Sequence, residues 1–417
     1  MNDLLPKLLF GFAALAGAFA YGMVSTESSL FPYPTIQTAR STVTDLRKYW
    51  KNDLEIEPTR HLAPAVHEGA GVTVRDTERM QPGLTFLSGM FGDQMGARLI
   101  DAGGRVIHEW PVNYTRIWPE YPNHKGGEPV TDWNVFLHGS LIQPDGSIVV
   151  NFDEGASLVK LDRCANVVWK IYENIHHSVF EDEEGSFWAP LSDDIVQVSA
   201  NGEILRRIGI EALMRRNNLE GALFIQAPRR VYIHPNDVDV LSSELADAFP
   251  MFEAGDVMYS MRDLNLIIVF DPDTEVVKWY QHGPWLRQHD PDFLPDGRIA
   301  VFNNRMEYGA SNIMVVDPAT REVEVVYEST EAAPFYTDIR GKHETLENGN
   351  LLIVEAQRGR VFEVTPEGDI VWQYVNRYDD ERVAVVTNAL RLAPGWFDVD
   401  DWSDCTDEEL IAEEKGP

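Results

Sequence analysis

One hairpin recurs six times along this chain, and that recurrence limits the fold more than any other feature. The copies are ARLIDAGGRVIHEW (97–110), SLVKLDRCANVVWK (157–170), DIVQVSANGEILRR (194–207), LIIVFDPDTEVVKW (266–279), NIMVVDPATREVEV (312–325) and RVFEVTPEGDIVWQ (360–373). Each has an apolar first arm, a turn carrying Gly, Asn, Pro or Asp, and a β-branched second arm that often ends in Trp. These are the residues a tight hairpin requires. With Asp101, Asp162, Ser199, Asp271, Asp317 and Thr365 as equivalent marks, the spacings are 61, 37, 72, 46 and 48. A unit of roughly 40–50 residues with two irregular insertions predicts propeller blades rather than a solenoid.

A second element precedes five of the hairpins: a His, a strand, a turn and another strand. Its copies begin at His138, His176-His177, His234, Gln288-His289 and Lys342-His343. The first blade offers only GLTFLSGMFG (83–92), without a matching His. Two hairpins make a four-stranded blade, so the expected fold is all-β, a six-bladed β-propeller over 81–395. Candidates for the strand that closes the ring are GVTVRD (71–76) and NALRLAP (388–394). The stretch 239–254 reads as a helical insertion.

Equivalent blade positions are related by rotation about the channel axis. His138, His177, His234, His289 and His343 are therefore expected to converge on one end of the channel. Clustered imidazoles suit metal binding, or nucleophilic and acid–base chemistry on an anion. Asp237, Asp290 and Glu344 could serve a metal. Arg262, Arg287, Arg305 and Lys342 stand beside the same positions, and guanidinium groups grip sulfate or phosphate oxygens in a fork. The cations favour an anion site, with no metal and no cofactor. Trp285 and Phe302 are candidate walls for an aromatic ligand, and Trp279 is another, although it reads first as the packing Trp of its hairpin.

At these residues the sequence resembles the bacterial arylsulfotransferase (arylsulfate sulfotransferase) family. The ordered set is His234-Pro235-Asn236, Ser260-Met261-Arg262, Trp279, Gln288-His289 and Phe302-Asn303-Asn304, with the pair His176-His177. The resemblance covers roughly 83–395. It implies a propeller that moves a sulfuryl group from a phenolic sulfate ester to a phenolic acceptor without a nucleotide sulfate donor. It further implies that His289 takes the sulfuryl group covalently, with His234, Arg262 and His177 as catalytic partners. His176, Asn236, His138, His343 and Asn304 are the expected substrate-binding residues. The sequence departs from the family pattern in three ways. A linker replaces an N-terminal β-rich domain, a pair of cysteines close in sequence is missing, and Ser178 stands where many relatives carry an acid.

Lys plus Arg number 35 and Asp plus Glu 67, a formal balance of −32. Such a surface repels nucleic acid and excludes it as a partner. Residues 8–24 carry no charge, with Lys7 before them and Glu27 after. They predict a membrane anchor or signal peptide within 1–24 that puts the bulk of the chain on the periplasmic side of the inner membrane. Ala18-Phe19-Ala20 resembles a signal-peptidase site. Residues 25–80 are expected to be a linker with one short helix at Thr42 to Asn52, and 396–417 an acidic, solvated tail. Cys164 and Cys405 form no metal or redox motif, and a disulfide between them requires that the fold bring them together. The rival readings are a non-catalytic, membrane-tethered binding propeller and a metal-dependent propeller hydrolase.

Overall fold

The structure, a computed structural model, describes residues 4–120, 123–124, 128–129, 131–153, 157–223, 233–403 and 405. The chain divides into two compact units, Met1–Arg60 and His61–Pro417.

In the first unit, the helix Leu4–Glu27 is followed by the helix Tyr33–Asp53. At about 1.5 Å per residue the first is about 36 Å long, and Leu5–Glu27 is long and apolar enough to cross a membrane. The second begins at Tyr33 rather than Thr42, because Pro34 in its first turn lacks only an N–H that has no partner there in any helix.

The second unit is a six-bladed β-propeller. Among the described residues, six antiparallel sheets of four or five strands form the blades, and inner strands of neighbouring blades meet around the ring. Five of these inner strands are Phe136–Ile142, Phe180–Glu181, Pro235–Val240, His289–Phe293 and Lys342–Thr345. The sixth comes from the far end of the sequence. Val386–Leu392 pairs with Leu84–Phe91 to give the first blade its inner strand, which closes the ring and removes two free edges. The other closure candidate has a different role: Gly71–Arg75 pairs with Ile370–Val375 as a fifth, outermost strand of the last blade. The stretch 25–80 therefore includes part of the sheet.

The recurrent marks explain themselves. Asp101, Asp162, Asp271 and Asp317 each accept a backbone N–H two residues on, at 2.9, 2.8, 2.8 and 2.7 Å, closing the hairpin turn. The recurrent Trp ties blades together. The indoles of Trp110, Trp169 and Trp372 donate to the carbonyls of Gly146, Ala200 and Ala102 in the turns of the following blades. Between blades lie apolar layers. One holds Trp279, Trp285 and Phe293, together with Phe249 and Phe252 from the 239–254 insertion. That insertion has only one helical turn, Ser243–Ala246.

The C-terminal stretch is docked where it is described. Cys164 and Cys405 are joined as a disulfide, and Trp402 packs on Trp110 and His108 at ring-centroid distances of 5.7 and 4.8 Å. Apolar burial by this indole overrides the acidic character of its neighbours. Residue 404 and residues 406–417 of the expected solvated tail lie outside the described residues.

Candidate active site

The start of each inner strand carries the chemistry, and a β-bulge aims it. The ladder shifts register between Leu137 and Ser140, between Pro235 and Asp237, and between His289 and Pro291. His177 and His234 hold positive φ angles of 65° and 47° at the same level of their blades. An extra residue in one strand turns its side chain out of the alternation. Here it turns the imidazoles toward one another. The rings of His138 and His177 lie 4.3 Å apart, those of His176 and His177 4.7 Å, and those of His177 and His234 4.9 Å.

The hydrogen bonds assign the tautomers. His176 Nε2 lies 2.9 Å from the Ser192 carbonyl, which can only accept, so Nε2 carries a proton and, in the neutral ring, Nδ1 is bare. His177 Nδ1, 2.6 Å from that bare nitrogen, must donate to it. His177 Nε2 is then an acceptor, and His234 Nε2 donates to it across 3.1 Å. The result is a chain of imidazoles, His234 to His177 to His176 to Ser192, in which both nitrogens of His177 are engaged. The electrostatics agree. Burial, reinforced by the Arg262 guanidinium, pushes His234 down to about 3. Burial and the neighbouring imidazoles hold His177 well below the ordinary histidine range.

His289 is fixed separately. Its Nδ1 lies 2.7 Å from Asn304 Oδ1, while the Asn304 amide nitrogen donates to the carbonyls of Thr337 and Arg340 at 3.1 and 2.6 Å. With the amide oriented by two carbonyls, its oxygen faces His289, so Nδ1 is the protonated nitrogen and Nε2 keeps its lone pair. Burial and Arg262 hold His289 well below its ordinary range, against the Asn304 bond. Arg262 is held through Nε by Asp263 at 3.1 Å, and Asp263 also takes Arg287. Asn236 sits behind the site. Its amide donates to the Gln288 carbonyl at 2.6 Å, and Gln288 reaches Ser260, Met261 and Leu266, tying the backbone of His289 to that of Arg262.

His343 is placed elsewhere. Its strand pairs in regular register, His343 opposite Ile353, with no bulge. A one-residue difference in register sends a side chain to the other face. The ring packs with Nδ1 3.1 Å from Asp290 and 3.6 Å from Asp292. Lys342 bridges Asp237 and Asp290, and Arg305 lies over the Tyr308 ring at 5.5 Å. The candidate walls Trp285 and Phe302 are core instead, and Trp279 is the packing Trp its hairpin position suggested: all three are buried between blades, where apolar area is removed from water on both sides.

Two residues at the site were not anticipated. Asp153 Oδ2 lies 3.3 Å from His138 Nδ1, and Arg340, stacked 4.4 Å over Phe136, lowers His138 by its charge, second to burial and against Asp153. Asp153 had a signal. It ends the second strand of its blade, as Arg262 and Asn304 directly follow theirs, so a second rotational position supplies the histidines with partners. Arg340 comes from an irregular loop and had none.

Residues 139–377, more than half of the chain, match the sequence model of the arylsulfotransferase (ASST) family. The chain belongs to the arylsulfotransferase family. Membership supports aryl sulfotransfer on phenolic substrates as the general activity. The match takes in His176, His177, His234, Arg262, His289 and Asn304, while His138 stands one residue outside it. No curated protein matches the sequence. Similar solved structures include a protein of unknown function from Bacteroides caccae, 13% identical with a TM-score of 0.49 over 74% of this chain and 98% of that one. Others are the Kuenenia stuttgartiensis hydrazine synthase, 13% identical with a TM-score of 0.42 over 72% and 81%, and a virginiamycin B lyase from Staphylococcus aureus, 11% identical with a TM-score of 0.37 over 58% and 70%. These likenesses are too distant to carry an argument about this arylsulfotransferase-family chain.

Proposed function

We propose that this protein moves a sulfuryl group from a phenolic sulfate ester to a phenolic acceptor through a covalent sulfohistidine on His289, without a nucleotide sulfate donor. The observation that carries the proposal is the bond from His289 Nδ1 to an Asn304 amide that two carbonyls hold in place. It leaves an unprotonated Nε2 on a neutral imidazole, which is what a nitrogen nucleophile requires.

In the first half-reaction His289 Nε2 attacks sulfur, and the sulfur–oxygen bond to the aryl group breaks. The phenolic oxygen leaves with the bonding pair. In the second, the acceptor oxygen attacks sulfur, the nitrogen–sulfur bond breaks, and Nε2 regains its lone pair. By analogy with phosphoryl transfer, charge collects on the departing oxygen and spreads over the three others. Arg262 stays charged at any working pH and suits those oxygens. His234, neutral in the free protein, is the base for the acceptor's proton. The negative ester, once bound, raises His234 toward protonation, so the same ring serves the departing phenolate, whose conjugate acid has a pKa near ~10. His177 and His176 carry the hydrogen-bond chain behind it, and His138 packs against that chain. Asn236 positions the His289 backbone, and His343 stands outside the reacting set. The location we propose is the periplasmic side of the inner membrane, with the protein anchored or exported by its N-terminal segment. The apolar helix Leu5–Glu27 supports this.

Incubation with p-nitrophenyl sulfate and a phenol tests the reading. Nitrophenol release and a single sulfuryl adduct on His289 by peptide mass spectrometry are expected. No release above a His289→Asn control, across a panel of donors and acceptors, overturns it.

A further inference from the structure

The proposed transfer leaves unused an odd feature at the edge of the imidazole cluster. His138 Nδ1 is buried and has no hydrogen-bond partner, although Asp153 Oδ2 stands only 3.3 Å away. A carboxylate and an imidazole that close would ordinarily share a proton, and a buried ring nitrogen left without one is costly. Here the separation is long for a shared proton. Two ligands of one ion have that relation. With bonds of about 2.0–2.2 Å to a common metal at a tetrahedral angle, nitrogen and oxygen sit roughly 3.4 Å apart. A third donor is in place, for one ligand atom from each of His138, Asp153 and His177 lies within 4.8 Å of the others.

The site is built rather than incidental. His138 is 9% exposed and His177 8%, so their rings are held by packing. The Asp153 side chain is 33% exposed and leaves a route from solvent. Two imidazoles with one carboxylate match the ligand preferences of Zn²⁺ and its neighbours, not the oxygen shells of Ca²⁺ or Mg²⁺.

We propose that His138, Asp153 and His177 bind a Zn²⁺-like transition-metal ion, and that its binding switches off the imidazole chain of the active site. The switching follows from the tautomers. His177 uses one nitrogen to accept from His234 and the other to donate to His176. Whichever nitrogen turns to the ion must leave that chain, so His234 or His176 loses its bond to His177. The metal is therefore an inhibitor of sulfuryl transfer and takes no part in it. This second half rests on the proposed transfer, while the binding itself does not.

The test uses the full chain, stripped with chelator and titrated with ZnCl₂ by calorimetry, with metal content checked by mass spectrometry. One equivalent should bind, while CaCl₂ and MgCl₂ should not. Asp153→Asn and His138→Gln should each weaken Zn²⁺ binding at least tenfold, and His289→Asn should bind as the parent does. Circular dichroism identifies a variant that fails to fold, and the other variant then decides. Absence of Zn²⁺ binding, or binding unaltered in the folded variants, overturns the site. Nitrophenol release from p-nitrophenyl sulfate should stop at one equivalent of Zn²⁺ and return with EDTA. Release that continues with the site filled overturns the switch and leaves the binding result standing. A protein without transfer activity that still binds Zn²⁺ through Asp153 supports the site and counts against the proposed function instead.

Discussion

The inner strands carry two polar layers, and both are made electrically quiet by opposite shifts. At the strand starts, His177, His234 and His289 are held below the ordinary histidine range and stay neutral without a proton. On the same strands, Asp239 and Glu344 are pushed up to about 7 and Asp237 to about 6, so they hold a proton to higher pH than an exposed carboxyl does. Burial is the leading cause in each case, because low-dielectric surroundings disfavour the charged form of either group. Charges survive only where a partner is built in. Lys342 and His343 hold Asp290 at about 2 against its burial, and Asp263 holds Arg262. The lower layer therefore neutralises itself and acts as structure. The upper layer keeps bare ring nitrogens beside one fixed guanidinium, the arrangement a neutral nucleophile and a bound anion require.

The largest effect should separate the two histidines at matching blade positions. His289→Asn should lower kcat/KM for p-nitrophenyl sulfate by about 10³–10⁵-fold, as loss of a covalent nucleophile does. His343→Asn should cost less than about tenfold. Equal losses would break the distinction between the layers. Lys342→Met removes the ammonium that bridges Asp237 and Asp290. Loss of one partner from a buried pair costs about 3–5 kcal/mol, to be read from denaturant midpoints at pH 7.5 with a smaller deficit at pH 5. Asn304→Ala frees the His289 tautomer and should lower kcat by about 10–100-fold, within the range of outer-shell losses, with little change in KM.

The smallest effect sharpens the comparison by pH. A carboxyl raised on folding holds a proton that the unfolded chain has lost. Its stabilising contribution is complete below about pH 4 and falls away as pH rises toward the folded value of about 7. Asp239→Asn should therefore flatten the decline of Tm between pH 5 and 7.5 by roughly 2–4 °C. His234, depressed on folding, has the opposite sign. The unfolded chain binds the extra proton between its folded value of about 3 and the ordinary ~6.5, so its contribution grows with pH over that window and is complete above it.

The repeat made the blades legible, since a hairpin of period-two apolar residues with an Asp-closed turn can be read locally. It also made the histidines legible as a set. Which of them meet was not readable, because a β-bulge shows in pairing and not in composition. Asp153 was hidden for a related reason. Its role comes from a strand-end position shared with Arg262 and Asn304, not from a motif.

Local chemistry is what this sequence settled alone: turn residues, strand alternation and a recurring imidazole, each acting over a few neighbours. The tertiary structure decided the long-range matters. It put Val386–Leu392 beside Leu84–Phe91 and Cys164 beside Cys405. It turned His343 toward Asp290 while His289 faced Asn304. Ring closure and burial act between residues far apart in the chain, and only their joint placement sets which nitrogen is bare and which carboxyl keeps its proton.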